Sequence, residues 1–440
     1  MKDSLQNIYD RLYAHRLKSV LLVLVLVLVL SLNSLPGLLV STATRLDEGV
    51  GYDSVVAALG AAGAYVEEQT EPGSVDRATG YRYALRRIEM LNNLFLADHG
   101  PQAPIISRCP SRLCKYGFDN PDTTYNMVYP LSGRYAYKVA GNRGTVAYIT
   151  FQVMNIGPGG FNAGGTLESG GLVLDENGDF EILLAAENPD NHPNFMPIMA
   201  DGGAQLLIRQ LNTDWLTSVE ASLRVEVLSP TPDTPEYPRI FDMEMMSKRG
   251  LGYGMVVRNQ MQIWRDVIAN APVNRLETGA KRSGNEDGGF PTNFTATMQY
   301  QVDEDEAVIL EIPQLDVVYS NIQLGNLWGE SLDYGSRLVS YNNAQAHLDA
   351  DGVYRYVIAM TDPGVPNWLD ASGHPRGGVF TRWQSPDGPV PKTSVKRVPL
   401  SELRDHLPEG HPVMKPKSRV AQLRARRAAY NRRLNPTDMR

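Results

Sequence analysis

The chain has 440 residues, of which 42% are hydrophobic and 21% charged, with two cysteines and a formal net charge of −7. These ordinary globular proportions exclude a wholly disordered chain, a polytopic membrane protein and a disulfide-based scaffold. At roughly 150 residues per domain, the length is sufficient for two or three domains.

Positive charge is concentrated at the end of the sequence. Residues 415–440 contain nine Lys or Arg and one acidic residue, a net charge of +8, which leaves −15 for residues 1–414. A nucleic-acid-binding surface needs basic residues spread over a folded face, or a recognition motif. An acidic body with a short basic tail therefore argues against a nucleic-acid partner.

An apolar segment near the N-terminus predicts a membrane anchor. Residues 20–30 are Val and Leu only, and apolar residues continue to position 40. That length is close to the roughly 20 residues with which a helix crosses a bilayer. We therefore expect residues 19–41 to span a lipid bilayer. A signal peptide cleaved near the S-T-A sequence at 41–43 is the alternative.

Charged residues around this segment predict its orientation. Four cations precede it, namely Lys2, Arg11, Arg16 and Lys18. The positive-inside rule then places residues 1–18 in the cytoplasm and the body of the protein in the periplasm or outside the cell. The expected localisation is that of a single-pass membrane protein of the cell envelope.

The following residues predict a mainly β fold with helical additions. Helical spacing at 54–68 and 75–97 predicts a helical pair within residues 45–100. Residues 105–228 alternate apolar and polar positions, and Asn177-Gly178 is a strong hairpin signal. We expect a β-sandwich domain there.

A proline-rich linker and a helical pattern at 243–271 predict a helical bridge over residues 229–294. Strand patterns return over residues 295–407, which we interpret as a jelly-roll-like β domain. Residues 408–440 form the basic C-terminal tail. No internal repeat occurs at the short periods typical of solenoids.

Cys109 and Cys114 lie five residues apart in C-P-S-R-L-C. This spacing is neither Cys-x-x-Cys nor part of a four-ligand metal set. A local disulfide, two free thiols and a redox switch remain as alternatives, and the disulfide is compatible with export.

The common signatures of nucleotide-binding, metalloprotease and α/β-hydrolase sites are absent. The glycine-rich segment 157–165 is not followed by a helix, so we interpret it as a hairpin loop rather than a phosphate-binding loop. The seven histidines include no pair at i, i+2 or i, i+4, which argues against a local metal site. We expect no cofactor.

Polar and aromatic residues are densest in two C-terminal segments. Residues 327–337 contain Trp328, Glu330, Asp333 and Tyr334. Residues 362–376, followed by Arg382, form the second segment, with Trp368, Asp370, His374 and Arg376. A carboxylate that orients an imidazole beside a guanidinium is usable acid–base machinery.

These segments supply the predicted site. The catalytic candidates are Asp370, His374, Arg376 and Glu330. The candidates for binding a substrate are Trp328, Asp333, Tyr334, Trp368 and Arg382. The structural alternative is a loop in which Asp370 accepts backbone N–H bonds, His374 caps a strand and Trp368 fills the core.

Two known families share parts of this pattern. Residues 328–337, together with D-P-G-V-P-N-W-L-D-A-S-G-H at 362–374 and Arg382-Trp383, closely resemble the domain-of-unknown-function family numbered twelve-fourteen. The N-P-D-T-T-Y sequence at 120–125 is similar to the companion family numbered twelve-fifty-four. The resemblances cover about residues 295–400 and 105–228. They imply two all-β domains, sandwich-like and jelly-roll-like, and no particular activity.

Two functions are compatible with the sequence. The first is a membrane-anchored, cofactor-independent enzyme of hydrolase or lyase type, acting on a small apolar or anionic molecule in a C-terminal-domain pocket. The second is a non-catalytic binding protein or accessory subunit of a membrane-associated complex. The basic tail could contact a protein partner or anionic lipid, and a homo-oligomer is also compatible.

Overall fold

The computed structural model describes residues 49–435, apart from 98, 110, 112–113, 116, 118, 158–159, 201, 229–239, 279–291 and 386–388. The described part is mainly β. Its helices are α1 (Val50–Gln69), α2 (Val75–Leu91) with a π-helical turn (Asn92–Leu96), α3 (Met243–Ala269), a 3₁₀ helix (Leu400–His406) and α4 (Pro416–Leu434).

The single-pass membrane architecture predicted from residues 19–41 is corrected. In the part of the chain that the structure describes, no helix is both long and apolar enough to cross a bilayer. The long helices carry charged side chains, such as Glu67 in α1 and Arg265 in α3. Residues 1–48, with the predicted anchor, lie outside the described residues. The membrane-spanning helix and the envelope localisation that depended on it are therefore withdrawn.

Nine strands form the first β half. They are β1 (Ile105–Cys109), β2 (Thr123–Ser132), β3 (Tyr137–Asn142), β4 (Tyr148–Gly157), β5 (Gly160–Glu168), β6 (Asp179–Ala185), β7 (Phe195–Pro197), β8 (Gly203–Leu211) and β9 (Arg224–Val227). A five-stranded sheet, β1-β2-β8-β4-β5, packs on a four-stranded sheet, β7-β6-β3-β9. Alternate side chains such as Phe151, Ile182 and Leu206 fill the space between the sheets.

Nine further strands form the second β half. They are β10 (Glu277–Thr278), β11 (Asn293–Gln301), β12 (Glu306–Pro313), β13 (Tyr319–Gly325), β14 (Ser340–Asn342), β15 (Val353–Ala359), β16 (Trp368–Asp370), β17 (Arg376–Gln384) and β18 (Ser394–Pro399). The sheets are β10-β11-β17-β13-β14 and β16-β15-β12-β18. Ile309, Ile322 and Val357 lie in its core.

The two halves have the same topology. Adding nine to each strand number of the first half reproduces both sheet orders of the second, including the parallel pairs β6-β7 and β15-β16. The halves are therefore two copies of one nine-stranded sandwich, and the predicted contrast between a sandwich and a jelly roll is not observed.

Strand register defines equivalent residues. In the first half Arg209 of β8 lies opposite Thr150 of β4, and in the second Arg382 of β17 lies opposite Asn321 of β13. The same registers pair Tyr148 with Leu211, and Tyr319 with Gln384. The equivalences that follow are Tyr148 with Tyr319, Thr150 with Asn321, Gln152 with Gln323 and Arg209 with Arg382.

The five-stranded sheets of the two halves pack face to face. Tyr148 and Leu211 contact Tyr319 in a small apolar cluster. Asn342 of the second half donates to Asp122 of the first at 2.9 Å. Thr292 of the second half is equivalent to Asp122, and Glu168 of the first half is equivalent to Asn342. These two residues also bond to each other, since Thr292 donates to Glu168 at 2.9 Å. Such reciprocal contacts are those of a two-fold interface, formed here within one chain.

Helices α1, α2 and α3 form a cluster beside the second half. Ser74 caps α2 by accepting from the Arg77 backbone N–H at 3.2 Å, and Asp242 caps α3 in the same way toward Met245 at 2.8 Å. A Cβ at Gly250 would lie 2.4 Å from the Gly51 carbonyl oxygen. The crossing of α1 and α3 therefore requires glycine at that position.

Most sequence-predicted elements occur with shifted ends. The hairpin signal Asn177-Gly178 does precede β6, but the residues 172–174 on its other side form no strand. There the Val173 backbone instead bonds to the side chain of Asn194, at 2.9 Å from N–H to Oδ1. The glycine-rich segment lies in the β4–β5 hairpin, but residues 160–165 belong to β5 and pair with β4, so most of the predicted loop is strand, and residues 158–159 lie outside the described part.

Candidate functional site

His374 and Arg376, two predicted catalytic residues, lie together beside a carboxylate that the sequence did not indicate. Asp76 of α2 is 3.6 Å from His374, Oδ1 to Nδ1, and 3.3 Å from Arg376, Oδ2 to Nε. Asp76 and His374 are buried, whereas the Arg376 side chain is 43% exposed. The first turn of α2 thus supplies the carboxylate predicted from Asp370.

Three buried polar atoms in this region have no hydrogen-bond partner within the protein. They are Asp76 Oδ1, His374 Nδ1 and the Tyr300 hydroxyl. Burial raises the pKa of Tyr300, and the charges of Asp76 and Asp370 raise it further. We call this set the Asp76–His374 cluster. Buried titratable groups left unsatisfied are unusual outside functional sites.

Asp370 has other partners. Its Oδ2 accepts from Arg337 Nη1 at 2.8 Å, and its Oδ1 accepts from the Ser372 backbone N–H at 2.7 Å. Trp368 is 8% exposed, and its indole N–H donates to the Ala359 carbonyl at 3.1 Å. Both residues behave as the structural alternative for this loop predicts.

Glu330 is enclosed by cations. It is fully buried, 2.5 Å from Arg86 and 3.5 Å from Arg82, and it accepts from Asn326 Nδ2 at 3.1 Å. The neighbouring Trp328 is also fully buried, and its indole N–H donates to the Asp76 carbonyl at 2.8 Å. These two predicted site residues therefore join the second half to α2.

A buried lysine and serine lie near Glu330 and were missed from the sequence. Lys115 Nζ donates to Ser331 Oγ at 3.0 Å and to the carbonyls of Ser331 and Leu332 at 2.5 and 2.8 Å. Ser331 Oγ donates to Asp119 at 2.7 Å. Burial lowers the pKa of Lys115 and raises that of Asp119.

This set has the composition of a serine–lysine catalytic pair. However, the three ammonium donors of Lys115 each have an acceptor, so the lysine is bound as a cation rather than as a base. The predicted residue Tyr334 lies under it, with Nζ 4.6 Å from the ring centre. Asp333 accepts from the Gly335 and Ser336 backbone N–H groups. These contacts fasten the 115–119 loop to the second half.

The N-P-D-T-T-Y segment at 120–125 leads into β2 and also forms the junction of the two halves. Asp122 is fully buried and accepts from the Trp215 indole, Asn342 Nδ2 and the Tyr319 hydroxyl at 2.8, 2.9 and 2.8 Å. Asn120 also bonds to Tyr319. These residues bind protein groups rather than a ligand.

Helix α4 docks one face of the basic tail on the rest of the protein. Arg419, Arg426 and Arg433 recur every seven residues on one face and are 4%, 8% and 3% exposed. Arg419 pairs with Asp362, Arg426 binds the Tyr334 carbonyl, and Arg433 reaches the Pro121 carbonyl. The helix is therefore docked across both halves, and Arg426 and Arg433 both lie over the Trp215 ring.

The outer face of α4 stays available to other molecules. Lys417, Arg424 and Arg427 are exposed there. Contact of the basic tail with a protein partner or anionic lipid, and the formation of a homo-oligomer, remain predictions.

A cleft of about 400 Å³ lies beneath α4. The first half supplies residues 213–216, the second supplies Leu338, Tyr341 and Gln345, and the helix supplies Ala425. Its lining is mainly apolar, and its polar groups are Thr213, Asp214, Gln345, Gln422 and Arg426. Volume and lining match those of small-molecule sites. This cleft was not predictable from the sequence, because its residues come from three distant segments.

The remaining predicted groups are placed as follows. Cys109 and Cys114 form a disulfide at the end of β1. Arg382 lies between the two halves, 8% exposed, and donates to Gln323 Oε1 at 2.6 Å. Among the described residues, no group of three or more His, Cys, Asp or Glu side chains is arranged to hold a metal ion.

Comparison with solved structures finds a close overall likeness. An uncharacterised protein from Burkholderia cenocepacia matches with a TM-score of 0.74 and 28% identity, covering 82% of this chain and 99% of that one. A protein from Vibrio parahaemolyticus matches with 11% identity and a TM-score of 0.42, covering 78% of this chain and 100% of that one. The second TM-score is too low to support any statement about the fold.

No protein-family model and no curated protein matches the chain. The resemblance to the two domain-of-unknown-function families therefore remains a prediction, and the Burkholderia structure supports the fold without indicating an activity.

Proposed function

We propose that this protein binds a small, largely apolar molecule in the cleft beneath α4, as a non-catalytic binding protein. The cleft itself is the observation that carries the proposal, because its volume of about 400 Å³ lies within the usual range for small-molecule sites. Both β halves and α4 contribute walls, so a ligand there would touch all three parts.

The chemistry of the lining defines the ligand class. Leu338, Tyr341 and Ala425 offer apolar surface, while Asp214 and Gln345 add acceptors. Hydrogen bonds from Thr217 lower the pKa of the Asp214 carboxyl, so that group is charged at neutral pH. Arg426, also in the lining, is bound to the second half through Ser340 and Tyr334. The cleft therefore suits a neutral or cationic molecule with a donor group.

The test is to fill the cleft with a larger side chain while helix α4 stays intact. Ala425→Trp places an indole in the cleft, and Ala428→Trp places one on the exposed side of α4 as the matched control. We expect the neutral fluorescent probe N-phenyl-1-naphthylamine to bind the full chain and Ala428→Trp, and to lose affinity at least tenfold in Ala425→Trp. Equal binding by both variants would contradict the proposal.

A second candidate function rests on the Asp76–His374 cluster. A buried carboxylate oxygen, imidazole nitrogen and phenol hydroxyl without hydrogen-bond partners, namely Asp76 Oδ1, His374 Nδ1 and the Tyr300 hydroxyl, lie beside the half-exposed Arg376 guanidinium and support acid–base catalysis of hydrolase or lyase type. His374 would transfer the proton, and Asp76 would orient the imidazole.

One complementation experiment separates the two functions. If the cluster is catalytic, His374→Gln folds normally but fails to rescue the phenotype of a gene deletion, whereas Ala425→Trp rescues it. If the cleft is the functional site, the pattern is reversed. Full rescue by His374→Gln would remove the catalytic alternative.

A further inference from the structure

Helix α1 presents an apolar face to the outside of the described part of the protein. Residues 54–66 of this helix contain no charged side chain. The exposed residues in that range are all apolar, namely Val56, Ala57, Gly60, Ala61 and Ala64. We call these five residues the outward face of α1. A helix on the surface of a folded protein normally directs polar side chains outward, and a helix that is apolar on all sides is normally buried.

The outward face is open, whereas the opposite side of α1 is closely packed. Val56 is 52% exposed, and Tyr52, one turn earlier, is 64% exposed. A Cβ at Gly60 would have no atom of the described residues within 4 Å. On the other side, a Cβ at Gly51 would lie 2.4 Å from the Met246 carbonyl oxygen of α3. Among the described residues, therefore, α3 covers one side of α1 and nothing covers the outward face.

The other long helices of the surface do not share this feature. Their exposed sides carry charged residues, such as Lys248 and Asp266 in α3 and Lys417 and Arg424 in α4. A contiguous exposed apolar patch usually marks an interaction site. The outward face of α1 thus has the character of a contact surface.

The chain itself contains an apolar segment of matching character. Residues 20–30 are Val and Leu only, and residues 19–44 contain no charged side chain. The linker 41–48 connects this segment to α1. When extended, the linker reaches roughly 30 Å, and α1, with 20 residues, is about 30 Å long. The segment can therefore reach every part of the outward face.

We propose that the Val- and Leu-rich segment 20–40 packs against the outward face of α1 within the same chain. The contact removes apolar surface of both partners from water. Attachment to the same chain gives the segment a high effective concentration at this face, which a second molecule would lack. Gly60 and the alanines have no long side chains, so the segment can approach the helix backbone closely. This contact is separate from ligand binding in the cleft beneath α4.

The experiment measures thiol reactivity in the full chain. Val56→Cys places a thiol on the outward face of α1, and Val420→Cys places the matched control on α4, at a residue that is 47% exposed. Cys109 and Cys114 are joined in a disulfide and do not react. We expect a charged maleimide to label Val56→Cys at least tenfold more slowly than Val420→Cys, because segment 20–40 covers only the first thiol.

Changes in the segment test the cause of this protection. Leu24→Asp together with Leu26→Asp should raise the labelling rate of Val56→Cys at least fivefold and leave that of Val420→Cys unchanged. A second measurement does not depend on the folding of that variant. Cysteine introduced in turn at each position from 20 to 30, in combination with Val56→Cys, should form a disulfide within one chain at some of these positions, as detected by mass spectrometry.

Three results would overturn the proposal. The first is equal labelling of Val56→Cys and Val420→Cys. The second is protection that increases with protein concentration while light scattering detects a dimer, which would assign the outward face to a second copy of the chain. The third is protection that occurs only after phosphatidylcholine vesicles are added, which would assign the face to a lipid surface.

Discussion

The two β halves share a strand order but differ at two equivalent contacts of their interface, which we call corners. At one corner Asp122 accepts three buried hydrogen bonds, from Trp215, Tyr319 and Asn342. At the equivalent corner Thr292 bonds to the partly buried carboxylate of Glu168. The centre of the interface keeps tyrosine, glutamine and arginine in both halves. The duplicated centre is thus retained while the corners have diverged.

The largest expected effects come from the two cores, which test whether the halves unfold together. Phe151 and Ile322 are equivalent, fully buried residues. Phe151→Ala and Ile322→Ala should each lower the free energy of unfolding by about 3 to 4 kcal/mol through lost burial and cavity formation. Denaturation in urea, followed by circular dichroism, should show one transition shifted by either variant. Two transitions with only one shifted would show that the halves unfold independently.

The corner contrast predicts unequal effects at equivalent positions. Asp122→Ala removes the acceptor of three buried hydrogen bonds and should cost about 3 kcal/mol of unfolding free energy. Thr292→Val removes one partly buried hydroxyl and should cost about 1 kcal/mol or less. The same denaturation curves measure both. An equal loss of unfolding free energy in the two variants would show that the two corners contribute equally to stability, and would contradict the prediction.

The disulfide belongs to the first half alone. Cys109 and Cys114 close a loop of a few residues, so the double variant Cys109→Ser, Cys114→Ser should lose about 2 kcal/mol of unfolding free energy. Adding a reductant to the wild-type protein should produce the same loss, and the double variant should not respond to it. A reductant effect that persists in the double variant would point to a different cause.

The smallest expected effect is a dependence of the unfolding free energy on pH, which arises from one histidine beside each half. Burial lowers the pKa of His99, which packs on Tyr129, and of His411, which is 2.9 Å from Asp349. The unfolded chain therefore binds protons at a higher pH than the folded one. Stability should fall as the pH decreases through the usual histidine pKa of about 6.5.

Variants that replace each histidine test whether His99 and His411 cause this pH dependence. His99→Gln and His411→Gln should each reduce the slope of unfolding free energy against pH between 7.5 and 5.5. Unaltered slopes in both variants would exclude both histidines as the source.

The β content was predictable because alternation of apolar and polar residues encodes the sheet faces. Helices α1, α2 and α3 follow from their spacing and their caps. The duplication was missed, because its period is about 170 residues and few identities survive. The repeated pattern of Tyr, Thr or Asn, then Gln, at 148–152 and 319–323 was the available signal.

The Asp76–His374 cluster was less predictable, again because its residues lie far apart in the sequence. His374 and Arg376 were identified from local chemistry, but their carboxylate, Asp76, lies about 300 residues away. The interface arginines and the cleft likewise combine distant segments. The docking of the basic tail could not be predicted from composition, because charge alone does not reveal that three arginines spaced by seven residues face the protein.

The docked helix α4 has a consequence for how the protein matures during synthesis. Arg433 contacts Pro121 and Thr124 of the first half, and Arg426 contacts Ser340 of the second. Because α4 follows both halves in the chain, these contacts form only after both have left the ribosome. The two sandwiches are therefore clamped together only once the helix is translated.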